Sequence, residues 1–551
     1  MWRRDGCGEK AMLYPLEQFR SPGIVLKSEG RAVRMFRIGL CAAVVAMALD
    51  ASRAEAQETP GQPGSGAQRT FTVTSKLVLL DVTVLDKKGH PVTTGLTKDD
   101  FLITEDKRPQ QIFSFEMPQA HAVEERGQDT GAAAPLNILV LDQLNSKIED
   151  FAYIRHEAQK FLESQPKELR SPAELMVVGN RSLEMVQGWT RDRDEMLAAL
   201  GQVRSDIPFK EMRSDFWTER IGQSLDALQQ IAIENAGVPG RKNIIWLGFG
   251  APALLTGNMP VQNRDAVERY IHAAVNLMVE SRVSLYLIYP GLPPTGWVSV
   301  PAGNADQVEN LNSSQSLAGY DPFGGDINFG LFAPDTGGRL FYNRDDLDGE
   351  LKESEELGSD YYTLTYQPHG GDDDGRFRRI RVTMRDPNLR AVTRDGYYAA
   401  DKNAPLDARM EAMHRLAEAE RTPVTFATLP VAVSNIVRHP DAESADFTVR
   451  LPAGSLTWSA GPDGNSTTNL MVATAGLNGD RAILSAKVAQ LTAATRTQDT
   501  QHLEGRTIAF RLTVRVPKKA QFVRVAIETE GGGKVGTAEL NRGEIDAAPL
   551  S

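Results

Sequence analysis

The pattern of apolar and polar residues changes its period within and just after Asn137–Ser146, and this change predicts the central unit of the chain. Ile138 to Leu141 form an apolar run bounded by polar residues, which is typical of a strand buried on both faces of a parallel sheet. From Lys147 onward apolar residues recur at steps of three and four, which indicates an amphipathic helix. Strand, polar turn and helix form the first half of a βαβ unit, and ligands bind where such strands end.

Alternating strand and helix patterns continue from residue 136 to about residue 401. Further buried strands are predicted at Glu174–Val178, Asn243–Leu247 and Val283–Tyr289, with amphipathic helices between them. A succession of βα units predicts an α/β fold, with a doubly wound, mostly parallel sheet that carries helices on both faces. The Gly-, Pro- and Asn-rich stretch Pro290–Gly330 follows one of these strands and is predicted to be a loop at the same rim as Asp142.

Two all-β regions flank this α/β unit. Residues 69–117 alternate with a period of two and predict a small N-terminal β-module. Residues 402–551 predict a short helix followed by short strands at the spacing of a β-sandwich. Residues 57–68 are rich in Pro, Gly and Ser and residues 118–135 are polar, so both segments are predicted to be linkers.

The N-terminus has the pattern of an export signal. A basic-then-apolar run starts at Met35 and ends in Ala54-Glu55-Ala56, which predicts translation from Met35 and cleavage after Ala56. Residues 1–34 would then be an upstream extension. An uncleaved anchor is the alternative, although the apolar run is short for a bilayer. We expect a periplasmic or secreted protein without a membrane span in the mature chain.

Composition excludes several classes of function. Both cysteines, Cys7 and Cys41, precede the predicted cleavage site, so the exported chain would have no disulfide, thiol nucleophile or Cys-ligated metal. The formal net charge of −11 argues against nucleic acid as a partner. The sequence contains no phosphate-binding loop, zinc-binding helix or nucleophile elbow, and its eight histidines are scattered singly. No catalytic residue is therefore predicted.

An ordered series of short motifs runs through most of the mature chain. The series consists of Val82–Asp86, Gly95–Phe101, Leu139–Asp142, Gly240–Asn243, Thr336–Gly338, Tyr361–Pro368 and Arg394–Tyr398. In this order the motifs resemble the von Willebrand factor A (VWFA)-related proteins that are abundant in Acidobacteria. The resemblance implies a VWFA-like α/β domain flanked by the N-terminal β-module and the C-terminal β-sandwich.

The resemblance also implies a candidate metal site. A-domains commonly bind Mg²⁺ at a metal-ion-dependent adhesion site, whose first loop reads Asp-x-Ser-x-Ser and which adds a Thr and an Asp from later loops. Asp142 and Ser146 match the first loop, but Leu144 replaces its middle Ser. Gly248-Phe249-Gly250 stands where the later Asp is expected, and Thr218 is the nearest candidate for the Thr. The site would be degenerate, for Mg²⁺ or another divalent cation.

Two interpretations of Asp142 remain open at this point. The matched residues supply few of the about six oxygen ligands that Mg²⁺ requires. The favoured interpretation is that Asp142 caps the following helix or orders the turn. Asn145 offers an amide oxygen as a replacement ligand and is equally an ordinary N-cap residue.

The sequence thus predicts an exported, non-catalytic binding protein of the adhesion type, whose rim contacts a protein or an extracellular polymer. The residues predicted to form an apolar contact at this rim, with core burial as an equal alternative, are Gly248, Phe249, Gly250, Leu254 and Leu255. One alternative is a hydrolase with a site between the α/β domain and a β-module. Another is a structural envelope protein.

Overall fold

The computed structural model describes twelve stretches of the 551-residue chain. These are residues 24–28, 77–121, 134–180, 182–204, 214–251, 261–291, 329–342, 346–368, 374–399, 408–461, 464–529 and 533–550. The predicted export signal, the linker 57–68 and most of Pro290–Gly330 lie outside the described residues. Among the helices within them, none is both long and apolar enough to cross a bilayer.

The N-terminal part of the described chain consists of strands, turns and two short 3-10 helices, Lys98–Asp100 and Pro118–His121. Its strands are β1 (Ile24–Ser28), β2 (Val78–Leu85), β3 (Phe101–Glu105), β4 (Arg108–Gln110) and β5 (Ile112–Glu116). The inward residues of β2 are buried and alternate with less buried ones over its first half, as a period of two predicts.

The α/β unit follows, and it contains six strands and six helices within the described ranges. The strands are β6 (Leu136–Asp142), β7 (Glu168–Val178), β8 (Leu183–Asp192), β9 (Lys242–Leu247), β10 (Val283–Ile288) and β11 (Arg339–Phe341). The helices are α1 (Ile148–Ser164), α2 (Arg193–Gln202), α3 (Ser214–Glu234), α4 (Val261–Glu280), α5 (Phe329–Asp335) and α6 (Leu347–Ser359).

These six strands form one mostly parallel sheet in the order β11-β10-β9-β6-β7-β8, in which only β8 is antiparallel to its neighbour. Alternate side chains of β6 enter two different cores. Ile138 and Val140 pack with residues of α3 and α4, whereas Leu139 and Leu141 pack with residues of α1 and α6. The mixed α/β fold with a mostly parallel sheet is therefore confirmed.

The chain then returns to antiparallel structure. The remaining elements are β12 (Tyr362–Tyr366), β13 (Phe377–Met384), β14 (Arg390–Val392), β15 (Gly396–Tyr398), α7 (Ala408–Arg421), β16 (Ala432–His439), β17 (Ser444–Pro452), β18 (Ser459–Ala460), β19 (Asn465–Leu477), β20 (Ile483–Arg496), β21 (Thr507–Arg515), β22 (Phe522–Thr529), β23 (Val535–Asn541) and α8 (Arg542–Asp546).

The β-module is completed by strands from both sides of the α/β unit. One sheet has the order β14-β2-β12-β5 and the other has the order β15-β13-β3-β4. The predicted α/β domain, residues 136–401, includes β12 to β15 as antiparallel strands at its C-terminal end, but these strands pair with strands of residues 77–121 or with one another. Since β12 follows α6 directly, the α/β unit is inserted between two halves of one β-module.

The C-terminal region contains two antiparallel sheets that share a core. The larger sheet contains β1, β18, β19, β20, β22 and β23, and the smaller has the order β16-β17-β21. Leu451 and Phe510 of the smaller sheet pack with Leu470 and Ile527 of the larger one. β1 pairs with β20, although the predicted cleavage after Ala56 would remove β1 from the mature chain.

Candidate functional site

Asp142, the last residue of β6, is completely buried. Its carboxylate accepts hydrogen bonds from the backbone N–H of Asn145 at 3.0 Å and from the Asn145 Nδ2 at 3.1 Å. It also accepts from Trp246 Nε1 at 3.0 Å and from the backbone N–H of Gly250 at 2.8 Å. We call this group of residues, with Gly248, the acidic corner.

Two glycines allow the chain after β9 to close over the carboxylate. A Cβ at Gly248 would lie 2.4 Å from the Asp142 Cβ, and the φ of +144° at Gly248 is one that other residues rarely adopt. A Cβ at Gly250 would lie 2.2 Å from the ring of Phe329. The sequence Gly248-Phe249-Gly250 is therefore required by close approach, which explains why no acidic residue stands there.

Burial dominates the electrostatics of the acidic corner. Desolvation raises the pKa of Asp142 above its ordinary value of 3.8, and the hydrogen bonds from Trp246, Asn145 and Gly250 oppose this shift. Buried N–H dipoles replace part of the lost hydration of a carboxylate. The N–H groups around Asp142 compensate for burial only in part, so the pKa of Asp142 is raised overall.

Mg²⁺ requires about six oxygen ligands, and the residues around Asp142 offer fewer. The Asp142 oxygens accept N–H groups, and among the described residues of this turn the Asn145 Oδ1 and the Ser146 Oγ are buried without a hydrogen-bond partner. The Asn145 amide directs its Nδ2 both to the Asp142 carboxylate and to the Ser224 Oγ at 3.0 Å. Ser146 is buried in the same turn, and the side chain of Thr218 lies outside the described residues. Across the described ranges no group of three His, Cys, Asp or Glu side chains could hold a metal ion.

Of the two roles in the favoured interpretation of Asp142, the ordering of the turn agrees with this geometry. The capping role does not, because the N-cap residue of α1 is Lys147 and no side chain caps that helix. Asn145 is therefore not the N-cap residue either.

The predicted apolar rim is also closed where the structure describes it. Phe249 is 3% exposed and meets the ring of Tyr289 at a centroid distance of 5.6 Å. Gly248 and Gly250 are buried with it, so these three residues belong to the core and the prediction that they contact a partner is corrected. Leu254 and Leu255 lie outside the described residues. Among the described residues, Ile148 at the start of α1 is a large apolar residue that is exposed at this edge, at 42%.

We call this the carboxyl edge of the sheet, because β6 and β9 end there. At the opposite, amino edge a largely buried polar group, which the sequence patterns did not predict, joins the β-module to the α/β unit. The Asp81 carboxylate of β2 accepts hydrogen bonds from the Arg282 guanidinium at 3.0 and 2.5 Å and from the Thr363 hydroxyl at 3.1 Å. Asp81 is the one charged residue in the apolar alternation of β2, and this was the available signal.

A second arginine continues the same junction. The Arg241 guanidinium donates to the Thr83 hydroxyl at 3.1 Å, to the Tyr286 hydroxyl at 2.9 Å and to the carbonyl of Gly337 at 3.0 Å. The backbone N–H of Arg241 donates to the Tyr361 hydroxyl. Four of the short motifs of the sequence thus meet here. We call the Asp81–Arg282 and Arg241 contacts together the polar junction.

Charge pairing dominates at the polar junction. Burial raises the pKa of Asp81, but the charge and hydrogen bonds of Arg282, together with the charge of Arg241 and the hydrogen bond from Thr363, hold the pKa below its ordinary value. Burial lowers the pKa of His121, which stacks on Tyr361 at 4.3 Å, to about 4. His121 is therefore neutral at pH 7, and the charge of Asp81 is balanced by arginine.

The chain was compared with known proteins. No family model and no curated protein matches the sequence. Among solved structures, the crystal structure of the SpRpn10 VWA domain is 15% identical, over 28% of this chain and 75% of that chain, with a TM-score of 0.15.

A second solved structure is that of the human COPII-coat protein Sec24c. It is 10% identical over 74% of this chain, with a TM-score of 0.20, and the match spans less than half, 44%, of the Sec24c chain. A VWA domain is thus among the structural neighbours of this chain, at a TM-score too low to carry an argument about family or function.

Proposed function

We propose that this protein is exported and acts as a non-catalytic binding protein, which presents the carboxyl edge of its central sheet to a protein or an extracellular polymer. The observation that carries the proposal is the exposure of Ile148 beside a turn in which Asn145 donates hydrogen bonds to the Asp142 carboxylate. An exposed apolar side chain on a fixed backbone loses little conformational entropy when it binds. Such a position suits recognition.

We further propose that binding needs no divalent cation. The acceptor capacity of the Asp142 carboxylate is used by N–H groups of Asn145, Trp246 and Gly250. A cation at this position would have to displace these donors, because they point their hydrogens at the oxygens that it would need. Contact through exposed side chains at the start of α1 avoids this conflict.

The test is a capture experiment with the immobilised full chain and a secreted or periplasmic fraction. We expect a partner that is retained in the presence of a chelator, lost with Ile148→Asp and kept with Gln159→Asp. Gln159 is exposed on the same helix about three turns away, so its substitution controls for added charge. Equal capture by both variants, or capture that requires Mg²⁺, would contradict the proposal.

The hydrolase and the structural envelope protein remain alternative predictions. Turnover of ester, peptide or glycoside substrates by the purified chain would favour the hydrolase. Failure to saturate any partner in the capture experiment would favour the structural role.

A further inference from the structure

A second concave surface lies at the amino edge of the sheet, away from the acidic corner. Its volume is about 680 Å³, and it is bounded by the turn after β2, the start of β11, one face of α6 and the loop before β14. We infer that this surface binds a small oligoanion that carries phosphate or carboxylate groups. We call it the basic cleft after its five cationic residues, which are Lys87, Lys88, Arg339, Lys352 and Arg390. The inference is independent of the proposed function.

Within the described residues, most of the carboxylates that line the basic cleft have partners in the protein, whereas several of the cationic side chains do not. Of its three carboxylates, that of Asp86 accepts the backbone N–H groups of Lys88 and His90 at 2.8 and 2.9 Å. That of Glu353 pairs with Arg339 at 3.1 Å. Two of the three carboxylates are thus engaged by groups of the protein itself, and the lining as a whole has five cationic side chains against three carboxylates.

Three lysines of the basic cleft form no ion pair with a carboxylate in the described part of the chain. Within the part of the chain that the structure describes, no carboxylate lies within ion-pairing distance of the ammonium groups of Lys87, Lys88 or Lys352. Glu356 is the remaining carboxylate of the lining. The cleft therefore concentrates uncompensated positive charge in a chain whose net charge is −11. Such a local field attracts anions, and low-dielectric walls strengthen it.

The walls that carry these lysines are preformed. The turn after β2 is closed by backbone hydrogen bonds from Asp86 to His90 and from Gly89 to Asp86, and Gly89 adopts a φ of +86°. On the opposite side Asn388 lines the cleft, and it is held by Asp386, which lies outside the lining and accepts the backbone and side-chain N–H groups of Asn388 at 2.8 and 2.7 Å. A preformed wall reduces the ordering cost of binding.

Size and charge together define the class of ligand. The volume is within the range of about 300–1,000 Å³ that small-molecule sites occupy. Lysine ammonium groups act as hydrated point charges for phosphate or carboxylate oxygens and impose no planar geometry. Three of them, against one free carboxylate, suit a compact ligand with at least two negative charges.

The test is calorimetric titration of the full chain with sodium pyrophosphate in one arm and with citrate in another, at low ionic strength. The two arms distinguish phosphate from carboxylate chemistry. We expect saturable binding of at least one anion, and a loss of affinity of about tenfold in the triple variant Lys87→Gln, Lys88→Gln, Lys352→Gln. Added salt should weaken binding by the parent chain.

The matched control is the triple variant Lys487→Gln, Lys518→Gln, Lys519→Gln. It removes the same charge from exposed lysines of the C-terminal sandwich. All six side chains are exposed, so both variants should keep the circular dichroism spectrum and melting temperature of the parent. No saturable binding of either anion by the parent, or equal loss in both variants, would overturn the inference.

Discussion

At the carboxyl edge of the central sheet the carboxylate of Asp142 is surrounded by N–H groups, whereas at the amino edge that of Asp81 faces the guanidinium of Arg282. Asp142 is completely buried and the side chain of Asp81 is only 10% exposed, but the pKa of Asp142 is raised and that of Asp81 is lowered. The difference follows from what replaces water. Dipoles offset the cost of burying a charge only in part, while a paired charge can outweigh it.

The comparison also separates two uses of buried polarity. Asp142 organises one turn within one unit, since its donors belong to the loops after β6 and β9 and to β9 itself. Asp81 and Arg282 connect two units, because Asp81 is in the β-module and Arg282 is in the α/β unit. Loss of the Asp142 hydrogen bonds should therefore disturb the loops at the carboxyl edge. Loss of the Asp81–Arg282 ion pair should disturb the attachment of the β-module to the α/β unit.

The largest expected effect comes from breaking the polar junction. Arg282→Met leaves the Asp81 carboxylate buried without its partner, so we expect the free energy of unfolding to fall by about 3–5 kcal/mol. Urea denaturation at pH 7 measures this change. The control is Arg170→Met, which removes an ion pair to Asp360 whose arginine is 56% exposed, and which should cost less than about 1 kcal/mol. Equal costs would show that the polar junction is no stronger than a surface pair.

The next effect is that of filling the space over Asp142. Gly248→Ala places a Cβ 2.4 Å from the Asp142 Cβ at a φ of +144°, so we expect a loss of about 3 kcal/mol from strain and overpacking. Gly95→Ala is the matched control, because Gly95 has a φ of +81° and no atom within 4 Å of the added Cβ. Thermal unfolding of both variants separates contact from backbone strain. If Gly95→Ala lowers the stability as much as Gly248→Ala does, the contact between the added Cβ and Asp142 has no effect of its own.

A smaller effect is expected from Asp142→Asn, which keeps the shape of the side chain. Its amide turns one N–H toward groups that are themselves donors, so we expect a cost of about 1–3 kcal/mol at pH 7. Chemical denaturation measures it. An unchanged free energy of unfolding would mean that the hydrogen bonds from Trp246 and Gly250 to the carboxylate do not stabilise the fold.

The pH dependence should have opposite signs at the two edges. Because the folded pKa of Asp142 is raised, the native protein relative to Asp142→Asn should lose stability as pH rises from 3.8 through that folded pKa. Because the folded pKa of Asp81 is lowered, the native protein relative to Asp81→Asn should lose stability as pH falls below 3.8 through that folded pKa. Denaturation series from acidic to neutral pH give both slopes, and slopes of the same sign would refute the comparison.

The smallest expected effect is that of Mg²⁺. A bound cation at one hundred times its dissociation constant would stabilise the protein by about 2.7 kcal/mol. We expect no shift of the melting temperature on addition of Mg²⁺ or of a chelator, because N–H donors occupy the Asp142 oxygens. If Mg²⁺ stabilises the protein in a saturable way and Asp142→Asn abolishes this effect, Asp142 does bind a metal ion and the prediction is wrong.

Local pattern alone determined the buried parallel strands of the α/β unit, but it predicted neither the antiparallel strand β8 nor the helix α5. The apolar runs predicted strands at Asn243–Leu247 and Val283–Tyr289, and the structure has Lys242–Leu247 and Val283–Ile288. These runs are readable because burial on both faces of a parallel strand selects apolar residues at successive positions. The favoured role of Asp142, ordering the turn after its strand, also needed only neighbours in sequence, since Asn145 is three residues away.

Tertiary structure decided everything that depends on distant partners. Gly250 lies 108 residues from Asp142, and its N–H helps to seal a corner that the sequence predicted to be open to a ligand. The Thr83 hydroxyl meets Arg241 across 158 residues, and β2 pairs with β12 across the whole inserted α/β unit. Periodicity reports which face of an element is buried, but not which remote donor or charge will lie against it. Those distant contacts form when the sheets and helices pack together. Because of them Asp142 and the described start of the loop after β9, which the sequence predicted as a binding corner, are buried in the core.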